Sequence, residues 1–376
     1  MYLINGIEMN YEPREKIISA LPAAEKSEIT KDECAFLCGL LNKKKPRKIV
    51  EIGLAAGGTT AIILQCMEDL KVPYELYSVD RSVNYYRDIH GGKESGFIGD
   101  EAKKILNPKK AVKFLGDVLP AFMPKIGDGI DFVMLDTMHV LPGEILDFLV
   151  LLPYLSKDAV ICMHDIARSL YENEDSSGPF SYATTTLFSA VTGDKYLNFF
   201  NGGAVVVPNI GAFKVTEFTK DNIFNLFLTL TMRWYYMPHI SDIEKYTMAI
   251  HQHYERDLCR IFDEARLANA ANMFPLPQDL IPKDKRITIY GGGVVGQAYW
   301  YQLKKSHNII KWVDKNSEER KKDIDFPISN IDKDAFDNCD YIILAARPMG
   351  VLDEMRECLR SFGVDESKII VPNCDK

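Results

Sequence analysis

The chain has 376 residues, of which 47% are hydrophobic and 26% charged, a composition that is typical of a globular protein and excludes a disordered or fibrous one. Its formal net charge of −8, without a polybasic block, argues against a nucleic-acid partner. No signal peptide and no apolar run of membrane-spanning length is visible, so we expect a cytoplasmic protein with no membrane span and with two or three domains.

Residues 1–44 are expected to form a helical N-terminal extension. Residues 14–43 have helical character, and Thr30-Lys-Asp-Glu33 has the spacing of a capping box in which Thr30 is the N-cap. The apolar residues that follow fall on one helical face: Phe36, Leu37, Leu40 and Leu41.

Residues 45–215 alternate short apolar runs with helical stretches. The predicted strands are Lys48–Ile52, Glu75–Val79, Val112–Leu115, Ile130–Leu135 and Ala159–Met163, and the predicted helices are Thr60–Leu70, Tyr85–Leu106 and Gly143–Leu155. This alternation predicts an α/β fold with a parallel sheet and helices on both faces. The polar segment 168–181 indicates a loop, either an active-site lid or a plain surface loop, and Tyr196–Phe200 with Ala204–Val207 predicts a hairpin.

Residues 216–282 are expected to connect this domain to a second one. The segment 219–273 has mainly helical character, and its apolar cluster favours buried core or a dimer face, so we expect a homo-oligomer; the cluster consists of Leu226, Leu230, Met232, Trp234, Tyr235 and Tyr236. Prolines in Phe274–Pro277 and Ile281–Lys283 mark a linker. Residues 283–376 then predict a second, small Rossmann-like α/β domain, with strands at Arg286–Tyr290, Ile309–Asp314, Tyr341–Ala345 and Lys368–Val371 and helices at Gln297–Ser306 and Leu352–Phe362.

A glycine-rich turn joins the first predicted strand to its helix. In Lys48-Ile-Val-Glu-Ile-Gly-Leu-Ala-Ala-Gly-Gly-Thr-Thr60, Gly53 and Gly57 allow the backbone to approach a ligand, and the helix after Thr59 offers unpaired N–H groups to a carboxylate. The spacing from Glu51, E-x-G-x-x-x-G, differs from the dinucleotide pattern and resembles the first motif of class I S-adenosylmethionine (SAM)-dependent methyltransferases. The resemblance implies a Rossmann-like class I methyltransferase sheet.

Acidic residues follow the other predicted strands. Asp80 could accept from both ribose hydroxyls of a nucleoside and Asp117 from the adenine amino group, while Asp136 and His164-Asp165 end the fourth and fifth strands. Because ligands bind outside the carboxyl ends of parallel strands, these side chains should meet in one crevice; the alternative is that they cap strand ends by chance. The expected cofactor-binding set is therefore Glu51, Gly53, Gly57, Thr59, Asp80, Asp117 and Asp136.

The stretches Asp136-Thr-Met-His139, Leu141-Pro-Gly-Glu144 and Ile161-Cys-Met-His-Asp165 resemble a bacterial subgroup that includes the macrocin O-methyltransferase and cephalosporin-hydroxylase-associated types. This resemblance covers roughly residues 45–210 and implies a divalent metal, usually Mg²⁺, held by Asp136 and Asp165, with His164 as a further candidate ligand. It also implies that Asp136 and His139 are catalytic, with His139 as the general base. His139 could instead be structural, and His164 could simply orient Asp165. Thr137 and Ser156-Lys-Asp158 depart from the glycine-containing pattern of the family.

A second glycine-rich turn, Gly291-Gly-Gly-Val-Val-Gly296, lies between a predicted strand and a predicted helix. Asp314 ends the next strand, where a ribose-binding carboxylate is expected, so Gly291, Gly293, Gly296 and Asp314 form a candidate second nucleotide site for NAD or a nucleotide-sugar. This region resembles the small Rossmann-like, sugar-nucleotide-binding domains of bacterial sugar-modifying enzymes. A binding or oligomerisation module and a redox site both remain open.

The sequence thus favours a methyltransferase that methylates a hydroxyl of a sugar or sugar-like small molecule, in glycan or natural-product biosynthesis. N- or C-methylation is also open within this class. The rivals from other classes are a non-catalytic scaffold that binds nucleotides or nucleotide-sugars, and an NAD-dependent oxidoreductase that uses the second turn.

Overall fold

The computed structural model describes residues 3–4, 7–8, 29–167, 183–198, 208–277, 280–321 and 326–372. The chain divides into two compact units, Met1–Thr229 and Leu230–Lys376. The finer division of the chain at residues 44, 215 and 282 remains a prediction. The expected helical residues 14–28, the polar segment 168–181 and the strand Ala204–Val207 lie outside the described residues.

A seven-stranded sheet forms the centre of the first unit as far as it is described. Its strands are β3 (Lys48–Ile52), β4 (Glu75–Asp80), β5 (Ala111–Leu115), β6 (Ile130–Leu135), β7 (Leu155–His164), β8 (Asp194–Leu197) and β9 (Ile210–Lys214); a separate pair, β1 (Leu3–Ile4) and β2 (Ile7–Glu8), is antiparallel. The order is β5-β4-β3-β6-β7-β9-β8. Strands β3 to β7 pair in parallel, whereas β9 runs antiparallel to both neighbours. The order therefore reverses between β3 and β6, which is where a doubly wound sheet binds its ligand.

The helices of the first unit follow the strands in the alternating way that the sequence predicts. They are α1 (Lys31–Lys44), α2 (Gly58–Leu70), α3 (Phe97–Leu106), α4 (Met123–Ile126), α5 (Gly143–Leu151), α6 (Ala183–Ala190), α7 (Glu217–Asp221) and α8 (Ile223–Thr229), with short 3₁₀ turns at Leu119–Ala121 and Leu152–Tyr154. The predicted capping box is confirmed, since Thr30 Oγ1 accepts from the Glu33 amide and Glu33 Oε2 accepts from the Thr30 amide at 2.7 Å.

The second unit repeats the doubly wound arrangement on a smaller scale. Its helices are α9 (Ile240–His253), α10 (Arg256–Met273), α11 (Val294–Leu303), α12 (Ser317–Arg320), α13 (Asp334–Asp337) and α14 (Met349–Ser361), with a 3₁₀ turn at Glu366–Lys368. Its strands are β10 (Arg286–Tyr290), β11 (Asn308–Val313), β12 (Ile328–Ser329), β13 (Tyr341–Leu344) and β14 (Ile369–Ile370). All pairings are parallel, in the order β12-β11-β10-β13-β14, and apolar clusters cover both faces of the sheet. The predicted fold class is confirmed in both units.

Several predicted elements differ from the structure. The helix predicted over Gly143–Leu155 ends at Leu151, and β7 already begins at Leu155. The helix predicted from Tyr85 begins only at Phe97, because glycines with positive φ, at 91, 92 and 96, turn the chain before it. The second hairpin strand that the structure describes is Ile210–Lys214, which lies after the predicted position. The predicted helical segment 219–273 is interrupted at residues 230–239, where the Trp234 amide donates to a side chain on α10 instead of to a helical carbonyl. None of the helices in the described ranges is both long enough and apolar enough to cross a bilayer.

Candidate active site

The turn after β3 is built against the protein's own backbone. Gly53 has φ +87°, and a Cβ atom there would lie 1.7 Å from the carbonyl oxygen of Asp136, which follows the neighbouring strand. Gly57 has φ +92°, and its Cβ would lie 2.8 Å from the backbone of Gly96. Both positions therefore require glycine for close packing within the fold, in addition to any ligand contact, which remains a prediction.

Glu51 lies beneath this turn and is fully buried. Its Oε2 accepts hydrogen bonds from the hydroxyls of Thr60, at 2.7 Å, and Ser78, at 2.8 Å. Its Oε1 has no hydrogen-bond partner among the described residues. Burial raises the pKa of Glu51 to about 7 although both hydroxyls lower it, and the nearby charges of Asp136 and Asp80 raise it further.

The carboxylates predicted for the nucleoside lie at adjacent strand ends. Asp80 ends β4 and accepts from the Leu54 amide at 2.9 Å through one oxygen and from the Ser82 amide at 2.8 Å through the other. Asp117 follows β5, the next strand, and accepts from the Val118 amide at 2.8 Å. Thr59 lies in the first turn of α2 and is half-buried. These residues occupy the same edge of the sheet as Gly53.

On the other side of Gly53, the structure brings Asp136, His139 and Asp165 together. One oxygen or nitrogen atom from each lies within 4.8 Å of the others. The Nε2 atom of His139 is 3.5 Å from Asp136 Oδ1 and 3.3 Å from Asp165 Oδ2. His139 and Asp165 have φ values of +62° and +57°, a left-handed conformation that is uncommon for non-glycine residues.

The remaining nitrogen of His139, Nδ1, lies 3.3 Å from Oε1 of Glu144, a fully buried carboxylate on α5. The same oxygen accepts from the His139 amide at 2.6 Å. Burial on its own would lower the pKa of His139, but the adjacent Glu144 carboxylate and the charges of Asp136 and Asp165 raise the pKa overall.

His164 lies between acidic groups on two sides. Its Nδ1 is 3.6 Å from Asp136 Oδ2 and 3.5 Å from Asp165 Oδ1, and its Nε2 is 3.5 Å from Glu33 Oε1. Burial would lower the pKa of His164, yet the neighbouring carboxylates raise it to about 11. Its role as a further metal ligand remains a prediction.

Three residues of this site are absent from the predicted set: Glu33, Glu144 and Asn209. The capping box already accounts for Glu33. Glu144 belongs to the stretch Leu141-Pro-Gly-Glu144, which by itself indicates no ligand. Asn209 donates to Asp165 Oδ1 at 2.8 Å from a position 44 residues later in the chain. No sequence signal marks it, because the antiparallel pairing of β9 with β7 brings it there.

The residues present fit both expected groups. A nucleoside fits the edge beside Asp80 and Asp117, because each carboxylate oxygen keeps a second lone pair for a hydroxyl or amine and α2 directs its first amides toward the turn. A divalent cation fits the group of Asp136, His139 and Asp165, because carboxylate oxygen and imidazole nitrogen are ordinary metal ligands and these three converge.

The second glycine-rich turn has the geometry that the sequence predicts. A Cβ atom on Gly296 would lie 1.8 Å from the Gly291 carbonyl oxygen, whereas a Cβ atom on Gly293 would have no atom of the described residues within 4 Å. Asp314 accepts from the Gly292 amide at 2.6 Å and from the Asn316 amide at 2.7 Å. The four predicted residues of this turn are therefore brought together, and Gly293 faces open space.

Comparison with known proteins agrees with this architecture. Residues 50–166 match a family model described as a methyltransferase domain. Similar solved structures include the O-methyltransferase from Bacillus cereus with S-adenosylhomocysteine (SAH) (14% identity; 55% of this chain and 92% of that chain; TM-score 0.40). They also include TomG from Streptomyces achromogenes with SAM (14% identity; 56% of this chain and 92% of that chain; TM-score 0.38). A third is the SAH-bound Podospora anserina methyltransferase PaMTH1 (14% identity; 55% of this chain and 86% of that chain; TM-score 0.35).

Similarities this low say nothing about substrate or reaction. No curated protein matches the chain. The family match covers the strands and turns that hold Glu51, Asp80, Asp136 and Asp165. Residues 50–166 of this chain are therefore similar to a methyltransferase domain, and the sheet that they form is Rossmann-like.

Proposed function

We propose that this protein is a SAM-dependent O-methyltransferase that acts on a hydroxyl of a small molecule. The observation that carries the proposal is the convergence, at one sheet edge, of a nucleoside-type carboxylate at Asp80 with the group of Asp136, His139 and Asp165. A methyl-group donor and an oxygen acceptor would thus meet on either side of Gly53. When bound, SAM supplies an electrophilic methyl group on a positively charged sulfur.

The cofactor half of the site uses groups that the fold already holds in position. Asp80 is fixed by two backbone amides and would accept from the ribose hydroxyls, and Asp117 would accept from the adenine amino group. The N-terminal amides of α2, beginning at Gly58, favour the carboxylate of the methionine portion. Glu51 braces Thr60 and Ser78 beneath the turn and so fixes the start of α2 relative to β4.

The acceptor half would hold a divalent cation through Asp136 and Asp165. When bound, the cation lowers the pKa of a coordinated hydroxyl. Asn209 fixes Asp165 from one side, and α6 fixes it from another, since the Thr184 hydroxyl donates to the Asp165 carbonyl oxygen at 2.7 Å. From the sequence, His139 is the residue assigned to take the hydroxyl proton. The preference for O- over N- or C-methylation rests on these oxygen ligands, because a hard acceptor oxygen is what such a site would bind.

The substrate class is proposed on the family resemblance alone. It favours a sugar or sugar-like small molecule in glycan or natural-product biosynthesis, with Mg²⁺ as the usual cation. A cytoplasmic location and a homo-oligomer are parts of the same proposal.

Calorimetry with SAH, followed by methyl-transfer assays on hydroxylated acceptors, tests the proposal. Asp80→Asn should weaken SAH binding at least about tenfold, because a charge-assisted pair of hydrogen bonds is lost. Asp136→Asn should abolish turnover and leave SAH affinity within about threefold. Asp69→Asn, an exposed aspartate at the far end of α2, is the matched control and should change neither quantity. Absence of binding heat with both SAM and SAH would overturn the proposal.

The second unit is proposed to bind a nucleotide, either NAD or a nucleotide-sugar, at the turn with Gly291, Gly293, Gly296 and Asp314. The open space at Gly293 supports this, because a pyrophosphate there would reach the first amides of α11. Thermal-shift measurements with NAD and nucleotide-sugars test it. Binding there without methyl transfer would favour the scaffold alternative, and tight binding of NAD with redox turnover would favour the oxidoreductase.

A further inference from the structure

We propose that His139 is a metal ligand rather than the proton acceptor: its Nε2 atom and the carboxylates of Asp136 and Asp165 form a three-ligand site that prefers a first-row transition ion to Mg²⁺. This inference deepens the proposed function and rests on its metal-binding half only. It departs from the sequence expectation for His139 and for His164.

The distances fit ligation better than hydrogen bonding. His139 Nε2 lies 3.5 Å from Asp136 Oδ1 and 3.3 Å from Asp165 Oδ2. Both separations exceed the range of about 2.7–3.2 Å for a hydrogen bond from nitrogen to oxygen. Two atoms that share an ion at bond lengths of about 2.0–2.2 Å lie about 3.0–3.5 Å apart at octahedral to tetrahedral angles. The Nε2 atom therefore has the spacing of a neighbouring ligand to each of the two carboxylates.

The orientation of the ring supports the same assignment. Nδ1 faces the fully buried carboxylate of Glu144 at 3.3 Å, so this nitrogen is directed into the protein. Ligating histidines commonly present their second nitrogen to a carboxylate in this way, which fixes the ring and its tautomer. The Nε2 atom lies between the two carboxylates, where an ion shared by all three side chains would be bound.

A further observation concerns buried atoms around the ring. His139 is only 8% exposed, and its Nδ1 has no aligned hydrogen bond within the described ranges. The outer oxygen of Glu144, Oε2, is also buried without a hydrogen-bond partner there. Burying the imidazole beside the Glu144 carboxylate costs free energy unless Nδ1 donates a proton to that carboxylate. Ligation of a metal ion through Nε2 would fix the proton on Nδ1 and so hold the imidazole as this donor.

Hydrogen bonds to two backbone carbonyls tie the ligand residues to the start of α6. The Ala183 amide donates to the His139 carbonyl oxygen at 3.2 Å, and the adjacent Thr184 hydroxyl donates to the Asp165 carbonyl oxygen at 2.7 Å. The start of α6 thus joins the two positive-φ residues. A preformed group of this kind needs little reorganisation to bind an ion.

The ligand set decides which ion is favoured. Mg²⁺ takes oxygen ligands and keeps most of its waters, whereas imidazole nitrogen suits first-row transition ions, with affinity rising from Mn²⁺ to Co²⁺. One imidazole and two carboxylates should therefore bind Co²⁺ and Mn²⁺ more tightly than Mg²⁺.

The test uses the full chain after treatment with a chelator, with Co²⁺, Mn²⁺ and Mg²⁺ as the probes. Calorimetry should give at least tenfold tighter binding of Co²⁺ than of Mg²⁺. Pulsed electron paramagnetic resonance of bound Mn²⁺ should reveal coupling to a ligating ¹⁴N nucleus in the unmodified protein. The inference is overturned if Mn²⁺ binds without nitrogen coupling, or if Mg²⁺ binds as tightly as Co²⁺.

Variants assign the nitrogen. His139→Ala should abolish the coupling and weaken Co²⁺ at least tenfold, whereas His164→Ala should retain the coupling; the reverse result would assign the ligand to His164 and overturn the inference. Glu144→Gln keeps the ring packed and should weaken Co²⁺ about 10- to 100-fold. His251→Ala, which removes a histidine of the second unit paired with Asp263, is the matched control. SAH binding is measured on the same samples. If the unmodified protein shows nitrogen coupling but does not bind SAH, the proposed methyl transfer is refuted and the metal site is supported.

Discussion

Replacing Glu51 with glutamine should remove one pH-dependent component of the stability of the first unit. Glu51 is fully buried and accepts hydroxyl hydrogen bonds from Thr60 and Ser78 through a single oxygen. Burial raises its pKa from 4.5 to about 7, so the folded state keeps a proton that the unfolded chain releases. Glutamine has nearly the same shape and cannot ionise.

The sign and size of the effect follow from proton linkage. Between pH 4.5 and about 7 the folded state binds more protons at Glu51 than the unfolded state, so the stabilisation present below pH 4.5 is lost as the pH rises through 7. The raised pKa, from 4.5 to about 7, corresponds to about 3 kcal/mol at about 1.4 kcal/mol per pH unit. Between pH 4.5 and pH 8, the free energy of unfolding of Glu51→Gln should therefore fall by about 3 kcal/mol less than that of the unmodified protein.

Urea denaturation at pH 4.5 and pH 8, read by hydrogen-exchange mass spectrometry of the peptides that carry β3 and β4, measures this difference. Tryptophan fluorescence is an internal control, because Trp234, Trp300 and Trp312 all belong to the second unit and should report the same transition in both proteins. Glu217→Gln, an exposed carboxylate on α7, should behave like the unmodified protein. Equal pH dependence in Glu51→Gln and the unmodified protein would show that Glu51 does not carry this component.

Four smaller substitutions test the local geometry. Gly53→Ala would put a methyl group 1.7 Å from a carbonyl oxygen at φ +87° and should destabilise the first unit by about 3 kcal/mol in the same exchange experiment, and an unchanged stability would contradict the described turn. Gly296→Ala, whose methyl group would lie 1.8 Å from a carbonyl oxygen, should lower the Tm of the second unit measured by fluorescence. Gly293→Ala, whose methyl group would have no atom of the described residues within 4 Å, should leave this Tm unchanged. Similar changes in Tm for the two variants would refute the distinction. Thr30→Ala should lower the free energy of unfolding of the first unit by about 1 kcal/mol and increase hydrogen exchange at the start of α1. Unchanged exchange there would show that the capping box does not stabilise the helix.

Sequence patterns predicted β3, β6 and β10 well because each is a short, mostly buried run with a glycine or polar residue after it. The bounds of β3 (Lys48–Ile52), β6 (Ile130–Leu135) and β10 (Arg286–Tyr290) are as predicted. The approach to α3 was mispredicted because three glycines turn the chain while the surrounding residues are compatible with a helix. Helical propensity in this segment is overridden by backbone conformations that only the folded structure reveals.

The candidate site was predictable only where its residues follow parallel strands. Asp80, Asp136 and Asp165 could be placed together from topology alone, because adjacent parallel strands end at one edge. The neighbours of His139 could not, since the contact with Glu144 depends on a turn that gives His139 a φ of +62°. Roles assigned to these residues from the sequence remain predictions.

The direction of β9 has a consequence for the tolerance of the chain to changes in length. Its first residue, Ile210, pairs with His164, so the amide of Asn209 reaches Asp165 only in one register. A slip by a single residue would move Asn209 by about 3.3 Å along the strand and reverse the face to which each side chain of β9 points. Insertions or deletions within residues 209–214 should therefore disturb Asp165 from more than forty positions away in the chain, even though this segment contains no acidic residue of the site.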